Sequence, residues 1–133
     1  KYLREHDTPL LIYQGRLNLL DTSPIEEGVL QFCHEHGIGF ISFSPFAQGL
    51  LTDRYLNGIP EGSRMTRNAT LKKDELTPEL LQKLHILNSQ AASRGETLAE
   101  MALSWILEQQ GVTSVIVGVS STEQLGTNLK AIM

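Results

Sequence analysis

The stretch Ile41-Ser42-Phe43-Ser44-Pro45-Phe46-Ala47-Gln48-Gly49-Leu50 decides how the chain is read. It closes an apolar run from Ile38 to Phe43 that lacks polar alternation. Such a run predicts a strand buried on both faces, as in a parallel sheet. The run breaks at Ser44-Pro45, and Gly49 follows. A strand that ends in a small-residue turn leaves backbone N–H groups unpaired, which suits an anionic ligand such as a pyrophosphate. The connection then continues to Leu76. Connections that long in compact domains are functional or disordered. From Arg54 to Lys73 this one carries five cations (Arg54, Arg64, Arg67, Lys72, Lys73) against one acid, Glu61, a basic patch in an acidic chain.

On the N-terminal side, residues 1–6 read as the end of a helix, and Leu10 to Gln14 as a first strand after Pro9. Gly15 to Thr22 reads as loop. Ser23-Pro24-Ile25-Glu26 has the form of a capping box with Pro at the first helical position. The spacing of Ile25, Val29, Phe32 and Cys33 predicts one helix with that face inward, and Gly37 stops it.

On the C-terminal side, Thr77-Pro78 opens a helix with Leu80, Leu84, Leu87 and Ala91 on one face, stopped by Gly95. Thr97 and Glu100 form a second capping box. Leu98, Met101, Ala102, Trp105 and Ile106 follow at amphipathic spacing. Ser114 to Val117 is the third predicted strand, and Leu125, Leu129 and Ile132 are expected to face inward from a last helix. Strands alternating with helices imply right-handed crossovers and a parallel sheet in a single domain, 1–133. Three strands leave two outer edges with unpaired backbone groups.

The chain has 133 residues, net charge −4 and 41% hydrophobic residues, which fits a globular protein and favours neither nucleic acid nor an anionic membrane as partner. No apolar run approaches the ~20 residues that span a bilayer. The start, Lys1-Tyr2-Leu3-Arg4-Glu5-His6-Asp7, is charged, so no secretory leader is expected. Cys33 is the only cysteine, which excludes an internal disulfide and points to a reducing, cytoplasmic setting.

A search for catalytic groups finds none. His34 and His36 are two apart and share no helix face; they read as helix-end cations. No acid or cysteine cluster completes a metal site. Ser44, Ser63, Ser120 and Ser121 lack a neighbouring His–Asp arrangement. Tyr2, Tyr13 and Tyr55 lack a Lys partner. What remains is binding chemistry at strand ends. Gln14 ends the first strand, Phe43-Ser44 the second, and Gly118 to Ser121 follows the third. In parallel α/β folds ligands sit at that edge. A Gln there matches a carboxamide, an aromatic ring a flat heterocycle, and Arg54 and Arg64 phosphate oxygens.

Four motifs make a family recognisable. They are Phe43 to Leu50, Gly58-Ile-Pro-x-x-Ser-Arg64, Met101 to Leu107, and Val115-Ile-Val-Gly-Val-Ser-Ser-Thr-Glu-Gln-Leu-x-x-Asn-Leu129. Together they resemble an aldo-keto reductase, of the branch that holds bacterial glyceraldehyde 3-phosphate reductases and potassium-channel β-subunits. The resemblance implies a partial (β/α)8 TIM barrel, with about three parallel strands (barrel strands 6 to 8) and flanking helices, and NADP(H) as cofactor. By similarity Gln14 holds the nicotinamide carboxamide and Phe43 lies against the ring. Ser44, Pro45, Ala47, Gly49 and Leu50 follow the pyrophosphate, and Arg54 contacts phosphate. Ser63 and Arg64 clasp the adenosine end, while Ser120, Gln124 and Asn128 hold the adenine and its ribose phosphate.

Two departures stand out. Thr127 replaces the usual Glu beside Asn128, and Gly15-Arg16-Leu17-Asn18 replaces the usual Pro-Ser-Tyr-Asn after Gln14. The family's Asp, Tyr, Lys and His tetrad belongs to the first half of the barrel, outside this sequence. The chain is therefore expected to bind NADP(H) weakly or to have lost it, and to be inactive alone. Its partner is expected to be a second copy docked through the sheet edges, or a complementary N-terminal half that completes an active NADPH-dependent aldehyde or ketone reductase. A non-enzymatic, self-associating module with relic cofactor motifs is the further alternative.

Overall fold

The computed structural model describes residues 2–63, 65–66 and 71–132. In chain order the elements are α1 (Tyr2–Glu5), β1 (Ile12–Arg16), α2 (Ser23–Glu26), α3 (Val29–Glu35), β2 (Gly39–Phe43), α4 (Pro78–Ser93), α5 (Leu98–Leu107), β3 (Val112–Val115) and α6 (Thr122–Lys130). Short 3-10 turns at Ala47–Gly49, Asp53–Tyr55 and Lys73–Glu75 punctuate the long connection after β2. The chain forms two compact units. The first comprises residues 1–45 and 105–118, and the second residues 46–104 and 119–133.

The first unit holds the sheet, ordered β1-β2-β3 with both pairings parallel. All three strands differ in their bounds from those expected, β2 only in starting at Gly39 rather than Ile38. β1 starts at Ile12 and runs on to Arg16, because its register against β2 continues from Ile12–Gly39 to Arg16–Phe43. Gln14 is thus the middle residue of β1, opposite Ile41, and does not end it. β3 lies two residues earlier than Ser114 to Val117, where Val112 and Val115 pair with Phe40 and Ser42.

Alternation assigns the two faces. Phe40 and Ser42 are fully buried at 0% exposure, while Ile41 and Phe43 are half-buried. The expectation that β2 is buried on both faces is therefore only half met. Helices pack on the Phe40 face alone within this unit. There Leu17, Leu30, Cys33, Ile38, Phe40 and Ile106 form the core, with Val29, Trp105, Val112 and Val115 against it. Val112 and Val115 are three apart, and a regular strand would send them to opposite faces. An irregularity between Phe40 and Ile41 inserts Thr113 into β3, which rephases the strand and brings both valines inward. Burying a ring the size of Phe40 stabilises by about 1.5–3 kcal/mol.

The predicted single helix after Ser23 is two. Gly28 sits in the left-handed region at φ 75° between α2 and α3 and turns the face. Leu30 and Cys33 point inward, whereas Ile25 and Phe32 are exposed, against expectation. Phe32 instead stacks on His36, with centroids 4.0 Å apart. Thr22 rather than Ser23 is the N-cap, and the Asp21 carboxylate accepts from the Ser23 hydroxyl at 2.6 Å. Gly37 ends α3 as expected, at φ 66°. The Ile38 amide returns to the Cys33 carbonyl (2.9 Å) and the Gly37 amide to His34 (3.4 Å), the double bond of a Schellman stop.

In the second unit, α4 has the expected cap, since the Thr77 hydroxyl accepts from the Leu80 amide at 3.2 Å. Leu84 and Ala91 are fully buried, with Leu80 and Leu87 half-buried beside them. The box that starts α5 is reciprocal, with Thr97 N–H to Glu100 at 2.8 Å and Glu100 N–H to Thr97 at 3.2 Å. Leu98, Met101 and Ala102 are buried as predicted, and Leu103 joins them. α6 departs from expectation. Leu125, Leu129 and Ile132 are 41%, 46% and 61% exposed, so the expected inward stripe faces outward, and no residue of α6 is buried.

Candidate functional site

In the first unit Arg16, Phe43 and Ser44 lie at the carboxyl-terminal end of the sheet, with Gln14 in mid-strand. Residues i and i+2 of a strand share a face. Gln14 and Arg16 of β1 therefore lie on the same face as their partners Ile41 and Phe43. This is the face away from Phe40. Gln14 and Arg16 are exposed there, as is Ile12. The guanidinium of Arg16 lies over the Phe43 ring, 5.7 Å from its centroid.

Two hydrogen bonds, neither visible in the sequence, set this end of the sheet. The buried Ser42 hydroxyl donates to the Leu17 carbonyl at 2.9 Å. The Asn18 amide donates to the Ser44 carbonyl at 3.0 Å. The Asn18 side-chain oxygen also accepts from the Leu20 and Asp21 amides, so one side chain ties three backbone groups, and it is only 1% exposed. Ser44 needs such support, because its φ of 55° is left-handed and sterically disfavoured for a residue with a Cβ. Asn18 and Ser42 are positioning residues that sequence reasoning missed. The only available signal was a polar residue adjoining apolar runs. Pro45, next in the chain, is buried.

In the second unit the turn Ala47–Gly49 has three successive left-handed residues, with φ of 45°, 62° and 100° at Ala47, Gln48 and Gly49. The turn bonds to itself. The Gly49 amide donates to Phe46 (2.8 Å), the Leu50 amide to Ala47 (3.2 Å) and the Leu51 amide to Phe46 (3.1 Å). Two of the residues expected to follow a pyrophosphate, Gly49 and Leu50, thus have amides that are already paired. Leu50 is buried. Arg54 is exposed in the next turn, where its amide donates to the Thr52 hydroxyl at 3.3 Å.

Ser63 is 4% exposed, and among the described residues its hydroxyl has no hydrogen-bond partner. The Tyr55 hydroxyl, on a fully buried ring, also lacks one. Buried polar atoms are normally paired, so an orphaned hydroxyl in a predicted binding segment fits an absent acceptor. On this observation the segment is compatible with a phosphate-bearing or ribose-bearing ligand. Arg64, and Arg67 of the basic patch, lie outside the described residues.

At α6 the Ser120 amide and hydroxyl both donate to the Gln124 side-chain oxygen, at 2.9 and 3.0 Å, and the Ser121 hydroxyl caps the Gln124 amide at 3.2 Å. Asn128, one turn on from Gln124, is half-buried. Among the described residues no hydrogen bond or ion pair links this pair to Arg54 or Ser63.

His6 and His36 behave as helix-end groups. His36 Nδ1 donates to the Phe32 carbonyl and His6 Nδ1 to the Tyr2 carbonyl, each at 2.9 Å. Among the described residues no cluster of three or more His, Cys, Asp or Glu side chains suits a metal ion. Burial pushes the Cys33 thiol above its ordinary pKa, so it stays protonated.

The Gln14, Phe43 to Leu50 and Gly58 to Arg64 segments follow the pattern of one family, and a model of the aldo/keto reductase family matches residues 1–133. The chain belongs to the aldo/keto reductase family. Within that family it is 47% identical over 135 residues to the L-glyceraldehyde 3-phosphate reductase of Escherichia coli (strain K12), covering 98% of this chain and 39% of that protein. It is 34% identical over 123 residues to a Schizosaccharomyces pombe protein assigned as a voltage-gated potassium channel subunit beta, covering 90% of this chain and 36% of that one. The chain thus spans about two fifths of these relatives. In fold it resembles a crystal structure of a thermostable aldo-keto reductase in complex with the inhibitor epalrestat. The TM-score is 0.63 at 22% identity, covering 98% of this chain and 37% of that one. The three parallel strands and their helices are those of a partial barrel. No helix among the described residues is long and apolar enough to cross a membrane.

Proposed function

We propose that this chain is the C-terminal, NADP(H)-holding half of an aldo/keto reductase, inactive toward carbonyls when alone. The observation that carries the reading is the buried, unpartnered hydroxyl of Ser63, within a segment patterned like the family's adenosine clasp. A phosphate or ribose oxygen would satisfy it. NADPH, when bound, would supply a hydride. The chain's own residues would hold it: Gln14 would read the carboxamide, Phe43 would pack against the flat ring, and Arg54 and Arg64 would neutralise phosphate. Ser120, Gln124 and Asn128 complete the adenine side. The proton donor would come from the tetrad on strands outside residues 1–133. The substrate class is a small aldehyde or ketone, by analogy with the name of the Escherichia coli relative.

Calorimetry with NADPH tests this. Saturable binding, even weaker than the micromolar level that corresponds to about 8 kcal/mol, supports it. Absence of heat at millimolar cofactor sinks it. NADPH oxidation with small aldehydes should show no turnover for the chain alone.

A second reading, an active reductase completed by another chain or by further sequence, is favoured by the exposed β1. Ile12 and Tyr13 of this outer strand are 56% and 41% exposed, and Leu10 and Leu11 just before it are 46% and 70% exposed. An unpaired parallel edge with that much apolar surface suits the preceding strand of a barrel. Turnover on adding a polypeptide that supplies the preceding strands would establish it. A homodimer through the same edge is the competing outcome.

A further inference from the structure

We propose that Arg16 is a specificity-determining residue that recognises an anionic group, phosphate or carboxylate, on the carbonyl substrate beside the Phe43 ring. Arg16 ends β1 directly opposite Phe43, at the sheet end where parallel folds bind ligands. It is exposed, and no carboxylate pairs with it among the described residues; the ion pair found there joins Arg94 and Glu96. Its guanidinium lies over the Phe43 ring, 5.7 Å from the centroid. A cation–π contact of this kind holds the guanidinium near the ring and leaves its N–H groups available to a bidentate anion.

The local sequence places this charge. A Cβ at Gly15 would lie 2.8 Å from the Phe40 ring and 2.9 Å from the Tyr13 ring, so only glycine lets β1 lie this close to the core. The next residue is then directed to the opposite face, the one that carries Gln14 and Phe43. The Ser42–Leu17 and Asn18–Ser44 bonds hold the chain immediately beyond it. The Gly15-Arg16 pair, where the family pattern has Pro-Ser, thus adds a held cation to the rim. The anion site rests on this geometry, and its assignment to a carbonyl substrate rests on the reductase reading above.

The test follows the Arg16 Nε–H and the Arg16 and Phe43 amides of the full chain by NMR. Inorganic phosphate or succinate is added, with neutral erythritol as control, in the absence and presence of saturating NADPH. The expected result is a saturable shift with both anions that persists with NADPH. Arg16→Gln should weaken it about tenfold or more, as loss of a charged hydrogen-bonding group does, and Arg16→Lys less. A well-dispersed spectrum of each variant confirms folding. The absence of a saturable shift, or equal affinity in Arg16→Gln, overturns the proposal. Displacement of the anions by NADPH also overturns it, because Arg16 then serves the cofactor. NADPH fluorescence on the same samples separates the two readings. Anion binding without NADPH binding removes the reductase reading and the substrate assignment with it, whereas NADPH binding without anion binding removes the role of Arg16 alone.

Discussion

Asn18 shows how much a single residue can hold in place. One side chain donates to the Ser44 carbonyl and accepts two amides of its own loop. Asn18→Ala leaves all three backbone groups without that partner inside a buried turn. It should cost about 1–3 kcal/mol, read as a lower urea midpoint at unchanged slope. Ser63 is the opposite case. Its hydroxyl bonds nothing among the described residues, so Ser63→Ala should leave stability unchanged or slightly raised. The same substitution should weaken NADPH binding by calorimetry. Loss of stability without loss of affinity would show that the hydroxyl serves the fold. Neither role was legible in the sequence. Ser63 was found through a motif, and Asn18 through nothing, because both depend on burial created by distant chain.

Among the elements, the start of α5 is the clearest case of local determination. Thr97 and Glu100 were readable as a box from spacing alone, and both bonds form. Thr97→Ala should cost about 1 kcal/mol by thermal or urea unfolding. The backbone bond from Thr97, then its side chain, and then the nearby charge of Lys130 hold the Glu100 carboxyl below the usual carboxylate range. A lowered folded value means that its contribution is present above the unfolded pKa of about 4.3 and is lost as pH falls through the folded value. Glu100→Gln should therefore flatten the loss of stability on acidification below that pH, in a series of urea melts. α2 and α3 show the limit of periodicity. Ile25 and Phe32 fit the apolar spacing, yet a glycine at φ 75° rotated the register and left both outside. α6 fits the pattern equally well and buries none of it.

At the scale of the whole molecule, the outer strand β1 and the exposed stripe on α6 leave much apolar surface uncovered. Patches of that kind mark association sites. Light scattering of the eluting chain should give a mass above 14.8 kDa that rises with concentration. Ile12→Lys, on the exposed face of β1, should suppress the rise; a concentration-independent monomer would exclude self-association through this strand.

The sequence by itself determined the family, the parallel α/β pattern, and several of the helix caps and stops. These are local signals, written in capping residues, glycines and apolar period over a few turns. Tertiary structure decided which apolar faces are covered, that Gln14 lies in mid-strand, and that a bulge turns Val112 and Val115 to the same side. It also set Arg16 over Phe43 and left Ser63 without a partner. The physical reason is that register, burial and hydrogen-bond satisfaction depend on residues that meet only after strands pair, and no spacing along the chain encodes them.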